Sequence, residues 1–107
     1  MNSIRFFAVL CSMLLITELH AQNTVQMSGR ISTRNGLAVP RATIHLLNSN
    51  FIAIADSEGK YVLQDIPAGK YSVQVRALNY STLTREIDLG SQQTEFNFEL
   101  TEHGQAL

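Results

Sequence analysis

Asp56, Ser57 and Glu58 place three oxygen-bearing side chains in a row before Gly59, and such a run raises the question of calcium. A calcium loop takes oxygen ligands at its first, third and fifth positions, and the fifth here is Lys60, whose ammonium repels a cation. The favoured reading is a solvated turn. His20, His45 and His103 are scattered, and Cys11 is the single cysteine, so no four-ligand zinc spacing forms. Tyr61, Tyr71 and Tyr80 suggest a sugar-stacking platform, but there is no Trp, and Tyr71 shares its face with Val73 and Val75. Core packing with the hydroxyls at the rim is favoured. Asn79-Tyr80-Ser81 is a glycosylation triplet, which matters only in a eukaryotic secretory pathway. No nucleophile elbow, phosphate loop or paired-carboxylate spacing appears. No catalytic residue, cofactor-binding residue or metal ligand is assigned, and no cofactor is expected.

The elements that would carry these residues are strands. Val25, Met27, Gly29 and Ile31 alternate with Gln26, Ser28, Arg30 and Ser32, and Asn35-Gly36 then turns the chain. After Pro40, Ala42, Ile44 and Leu46 alternate with Thr43, His45 and Leu47. Residues 51–55 are wholly apolar, which predicts a third strand buried on both faces or under a loop. Two turns, 56–59 and 66–69, each close on a glycine and release alternating runs that start at Tyr61 and Tyr71. Asn79 stands where αL backbone is expected, because Asn tolerates it best after Gly. A sixth strand runs through Leu83, Ile87 and Leu89, with Arg85 interrupting its apolar face. A seventh carries Phe96, Phe98 and Leu100 after the turn at 90–93. Thr84, Glu86, Asp88, Glu95, Asn97 and Glu99 supply mixed polar outer faces. No stretch has a helical period. Seven short strands at this spacing predict an all-β, seven-stranded antiparallel Greek-key β-sandwich.

The 107 residues carry a formal net charge of −1, with 45% hydrophobic and 16% charged residues. One small domain is the expectation. Without a basic patch to release counterions, nucleic acid is not an expected partner. Residues 1–21 are set aside as a signal peptide. Arg5 gives a short positive start, and 6–16 is an apolar or small-residue run of 11 residues. A membrane-spanning helix needs about 20. Cleavage is expected after Ala21, which discards Cys11 and leaves no disulfide framework. The mature chain then divides into a domain at 22–101 and a linker or tail at 102–107, and the polar stretch from Thr101 to Leu107 is expected to be loose.

The ordered set Gly29-Arg-Ile31, Asn35-Gly36, Val39-Pro-Arg-Ala-Thr-Ile44, Asp56-Ser-Glu-Gly-Lys-Tyr-Val-Leu63, Ile66-Pro-Ala-Gly-Lys-Tyr71 and Leu78-Asn-Tyr80 resembles the carboxypeptidase regulatory-like domain. The resemblance implies a transthyretin-like sandwich over nearly all of the mature chain. Arg41 and Asn79 depart from it, standing where the family usually has glycine. The resemblance also implies a non-catalytic role. Such domains accompany metallocarboxypeptidase catalytic domains without supplying zinc ligands. They also occupy the mature N-terminus of TonB-dependent outer-membrane receptors, where a leader precedes the domain and a short tail runs into the plug and barrel. The order here is similar, so the expected role is a periplasm-facing accessory domain that contacts or spaces proteins during nutrient uptake. Its membrane association would come only through a barrel beyond Leu107. The alternative is a free-standing secreted binding module for which carbohydrate is the implied ligand. Transthyretin-like hydrolases of purine catabolism share the architecture, but their C-terminal Tyr-Arg-Gly-Ser is absent from a chain ending Gly104-Gln-Ala-Leu.

Overall fold

The structure is a computed structural model, and it describes residues 23–90 and 93–103. The expected signal peptide, with Cys11 and His20, lies outside these residues. The alternating runs become seven strands: β1 (Thr24–Thr33), β2 (Thr43–Leu46), β3 (Ile52–Ile54), β4 (Lys60–Pro67), β5 (Gly69–Arg76), β6 (Leu83–Leu89) and β7 (Phe98–Leu100). They form a three-stranded sheet, β4-β1-β7, and a four-stranded sheet, β3-β2-β5-β6. β2–β3 and β5–β6 are hairpins, whereas β1–β4 and β2–β5 pair across long sequence separations, as in a Greek key. The seven-stranded sandwich is therefore the one the alternation predicts. Among the described residues its one parallel strand pair is β1 with β7, where Ile31, Ser32 and Thr33 face Phe98, Glu99 and Leu100.

Between the sheets lie Met27, Ile31, Ile44, Leu46, Ile66, Val73, Val75, Leu89 and Leu100, all fully buried. Burying one such side chain contributes about 1.5–3 kcal/mol, so this set supplies the main drive to fold. Gly29 lets the chain after β6 approach β1, with Ser28 N–H donating to Thr94 O and Phe96 N–H to Ser28 O. Phe96 therefore enters through isolated bonds, and the regular seventh strand begins at Phe98.

Three local expectations are corrected. β3 is not buried on both faces: it is an edge strand, with Ile52 and Ile54 pointing outward and only Ala53 turned partly in. An all-apolar run carries no alternation, so composition alone does not say which face meets solvent. Second, 66–69 is not a four-residue turn. Ile66 and Pro67 end β4, Gly69 begins β5, and Ala68 alone lies between. Upstream, two residues, Gln64 and Asp65, oppose the single Gln26, making a bulge with Asp65 at a φ of 58°. That bulge returns Ile66 to the core after Leu63. Third, the tail is not loose from Thr101. Ser81 N–H donates to Thr101 O at 2.8 Å and His103 N–H to Asn79 O at 2.8 Å, so the segment is pinned through His103.

Candidate functional site

The turn after β3 is built as a turn. Gly59 adopts a φ of 81°, and its N–H donates to Asp56 O at 3.0 Å. Asp56 Oδ1 accepts the N–H of Glu58 at 2.8 Å and of Lys60 at 3.0 Å. These bonds, that of Lys60 first, hold the carboxyl below its ordinary value of 3.8. Glu58 pairs with Lys60 at 3.4 Å. Of the oxygens that suggested calcium, Asp56 Oδ1 thus faces the turn's own N–H groups and Glu58 Oε2 faces the Lys60 ammonium. The sign of the linkage follows from the depressed folded-state value: the stability the carboxylate contributes is present above pH 3.8 and is lost as pH falls below it. Asp56→Asn is expected to show a smaller fall in denaturation midpoint between pH 5 and pH 3 than the native chain. An equal fall in both would contradict this account of the turn.

The tyrosines do not meet. Tyr61 is buried on β4, its ring 6.4 Å from that of Phe98, and its hydroxyl donates to Phe96 O at 2.6 Å. Burial, and secondarily the Glu95 carboxylate, push that hydroxyl well above its ordinary value. Tyr71 donates to Pro67 O, and Tyr80 lies at the opposite end of the sandwich near Glu102. His45 Nε2 lies 2.9 Å from Ser49 O; a carbonyl only accepts, so this nitrogen carries the proton. His103 sits on the pinned tail. Among the described residues, no three His, Cys, Asp or Glu side chains cluster as metal ligands would.

Two surfaces among the described residues bear on function. The first is the β3 edge. Leu46 N–H donates to Phe51 O and Ala55 N–H to Ala42 O, so the bonded pairs of this ladder are those of Phe51, Ala53 and Ala55. Ile52 and Ile54 therefore turn their N–H and C=O groups away from β2, and their side chains are 54% and 68% exposed. The other edge of the same sheet, β6, carries Thr84, Arg85, Glu86 and Asp88, all exposed. By its pairing with Val73, Arg85 falls on the inward side of the sheet. Charge at an edge, especially inward-pointing charge, discourages pairing with another chain. β3 has none.

The second surface is an open hollow lined by Arg41, Thr43, Arg76, Leu78, Asn79, Tyr80 and His103, among others. The pairing of Thr43 with Arg76 brings Arg41 beside it, a juxtaposition invisible in the linear sequence. The departures at Arg41 and Asn79 both lie here, at φ values of 64° and 73°.

The chain matches known proteins at the level of family and fold. The profile of the carboxypeptidase regulatory-like domain matches residues 26–101. No curated protein matches the sequence. Two solved structures of the type II cohesin–X-dockerin complex from Acetivibrio cellulolyticus contain similar chains. In a C-terminal interface mutant, identity is 26% and the TM-score 0.52, over 68% of this chain and 50% of that one. In an N-terminal interface mutant, identity is 26% and the TM-score 0.54, over 69% and 52%. The chain spans about half the length of those it matches. With the two-sheet topology and the match over residues 26–101, the chain belongs to the carboxypeptidase regulatory-like domain family.

Proposed function

We propose that the domain is a non-catalytic protein-interaction module, and more specifically the periplasm-facing accessory domain of a TonB-dependent outer-membrane receptor. The contrast between the two edges of the four-stranded sheet carries the interaction reading. β6 is charged along its length, whereas β3 offers exposed isoleucines beside outward backbone N–H and C=O groups. An extended segment of a partner added there would gain main-chain hydrogen bonds and bury both isoleucines. Likeness to chains of a protein–protein complex supports the same class of role. Family membership and the apolar segment at 6–16 support the receptor setting. A sugar-binding role draws no comparable support, because Tyr61, Tyr71 and Tyr80 lie apart.

Ile54→Lys tests the edge. It puts an ammonium on the open strand and leaves the core intact, so the denaturation midpoint is expected to hold while association with the partner is lost. A variant that associates as the native chain does would remove β3 from the account. For the receptor setting, the reading frame is expected to continue past Leu107 into a plug and a barrel of at least about eight strands. A stop codon there, in a gene far from any transport locus, would leave the free-standing module instead.

A further inference from the structure

Among the described residues, Arg30 is placed differently from Arg41 and Arg76. Arg30 ties loops together, with Nε donating to Glu58 O and Nη2 to Gly36 O, each at 3.1 Å. Arg41 and Arg76, both exposed, have no side-chain hydrogen bond or ion pair among the described residues. They line one hollow together with His103, and no Asp or Glu lines it. The acids closest along the chain to Arg41 are otherwise engaged, Asp56 with backbone N–H groups and Glu58 with Lys60. Glu102 lines the neighbouring hollow on the other side of Tyr80.

The backbone adds a second observation. Arg41 is held at a φ of 64°, a conformation glycine adopts freely and other L-residues adopt at a cost. Non-glycine residues in such regions cluster at binding sites and clamps, where surrounding structure enforces them. Here Arg41 N–H donates to Ala55 O at 3.0 Å, and the opposite wall is fixed by the bond from His103 N–H to Asn79 O. The fold thus accepts strain at the position that carries one of the two guanidiniums lining this hollow.

We infer that this hollow binds a carboxylate side chain of a partner polypeptide, in a segment where acidic and apolar residues alternate. Two unpaired guanidiniums provide the carboxylate with fork-shaped donors. Leu78, 88% exposed, and the half-buried Tyr80 stand beside them and give apolar neighbours a surface. Arginine and tyrosine are among the residue types that dominate protein anchor points. Nucleic acid is disfavoured because the chain as a whole is slightly negative and offers no basic track. The inference rests on the interaction-module reading for its choice of a polypeptide ligand. Its test is independent of the β3 edge, which Ile54→Lys addresses.

The experiment is a nuclear magnetic resonance titration of the 15N-labelled full chain. The probes are a capped peptide alternating glutamate and leucine, its glutamine counterpart, and inorganic phosphate. The glutamate peptide is expected to shift amides around Arg41, Arg76, Leu78 and Tyr80, saturably and less at high salt. Arg76→Gln should weaken binding at least tenfold. Arg41→Gly should do the same while keeping or raising the denaturation midpoint, since glycine relieves the backbone strain; loss of binding then does not reflect unfolding. Equal shifts with the glutamine peptide would reduce the site to an apolar contact and overturn the inference. Equal shifts with phosphate would reduce it to a general anion site, and no localised shift would remove it. Any of these results leaves the β3 reading standing.

Discussion

Gly29→Val is expected to unfold the domain under conditions where the native chain is folded. A Cβ at this position would lie 1.8 Å from Phe96 O, 2.6 Å from its carbonyl carbon and 3.0 Å from Tyr61 Cε1. The first two are backbone atoms, held by the bonds between Ser28 and both Thr94 and Phe96. They cannot yield without detaching the segment that leads into β7 from β1. Tyr61 is caught as well, because its hydroxyl bonds the same Phe96 carbonyl. Loss of this contact is expected to cost more than about 4 kcal/mol, a large part of the stability of a small domain. Gly36→Ala is the comparison. It keeps a φ of 85° but meets nothing within 4 Å, so only the conformational cost of about 1–2 kcal/mol applies. Denaturant unfolding of both variants checks this, and equal midpoints would show that the Phe96 segment does not rest on β1 at Gly29.

Ile31→Ala and Ile54→Ala form the second large contrast. The residue type is the same, but the positions are opposite. Ile31 is fully buried where β1 meets both β4 and β7, and its N–H and C=O bond Gly59 and Val39. Truncation there leaves a cavity that fixed backbone cannot fill, at a cost of about 2–5 kcal/mol. Ile54 lies on the outer side of an edge strand, so truncation should change stability by no more than about 0.5 kcal/mol. A comparable loss at both positions would mean that β3 is covered in the folded protein.

Much of the sandwich was legible because alternation shows directly which face a strand buries. Val73 and Val75, or Phe98 and Leu100, need no structure to be placed inside. The turn glycine at 59 and the left-handed Asn79 were legible for a related reason: few residue types suit those conformations. The sequence was silent where tertiary contact decides. The all-apolar run at 51–55 has no polar phase, so nothing in it marks Ile52 and Ile54 as outward. The bulge at Asp65 shifts the phase of β4 between Leu63 and Ile66, and a strict two-residue period misses it. The parallel pairing of β7 with β1 depends on two segments far apart in the chain. The basic hollow was half visible. Arg41 stood out as an arginine in glycine's usual place, but its partner Arg76 emerges only when β2 pairs with β5.

The proposed interaction role depends above all on β3 as an open edge that receives another polypeptide. A photo-cross-linking amino acid in place of Ile54, activated in the producing cells, tests this directly, with the same group in place of Asp88 on β6 as reference. Both positions are exposed on edge strands of one sheet, so they differ in the character of the edge and not in accessibility. A discrete adduct with a second polypeptide is expected from the Ile54 position and none from the Asp88 position. No adduct from Ile54, or the same adducts from both, would contradict the proposed role.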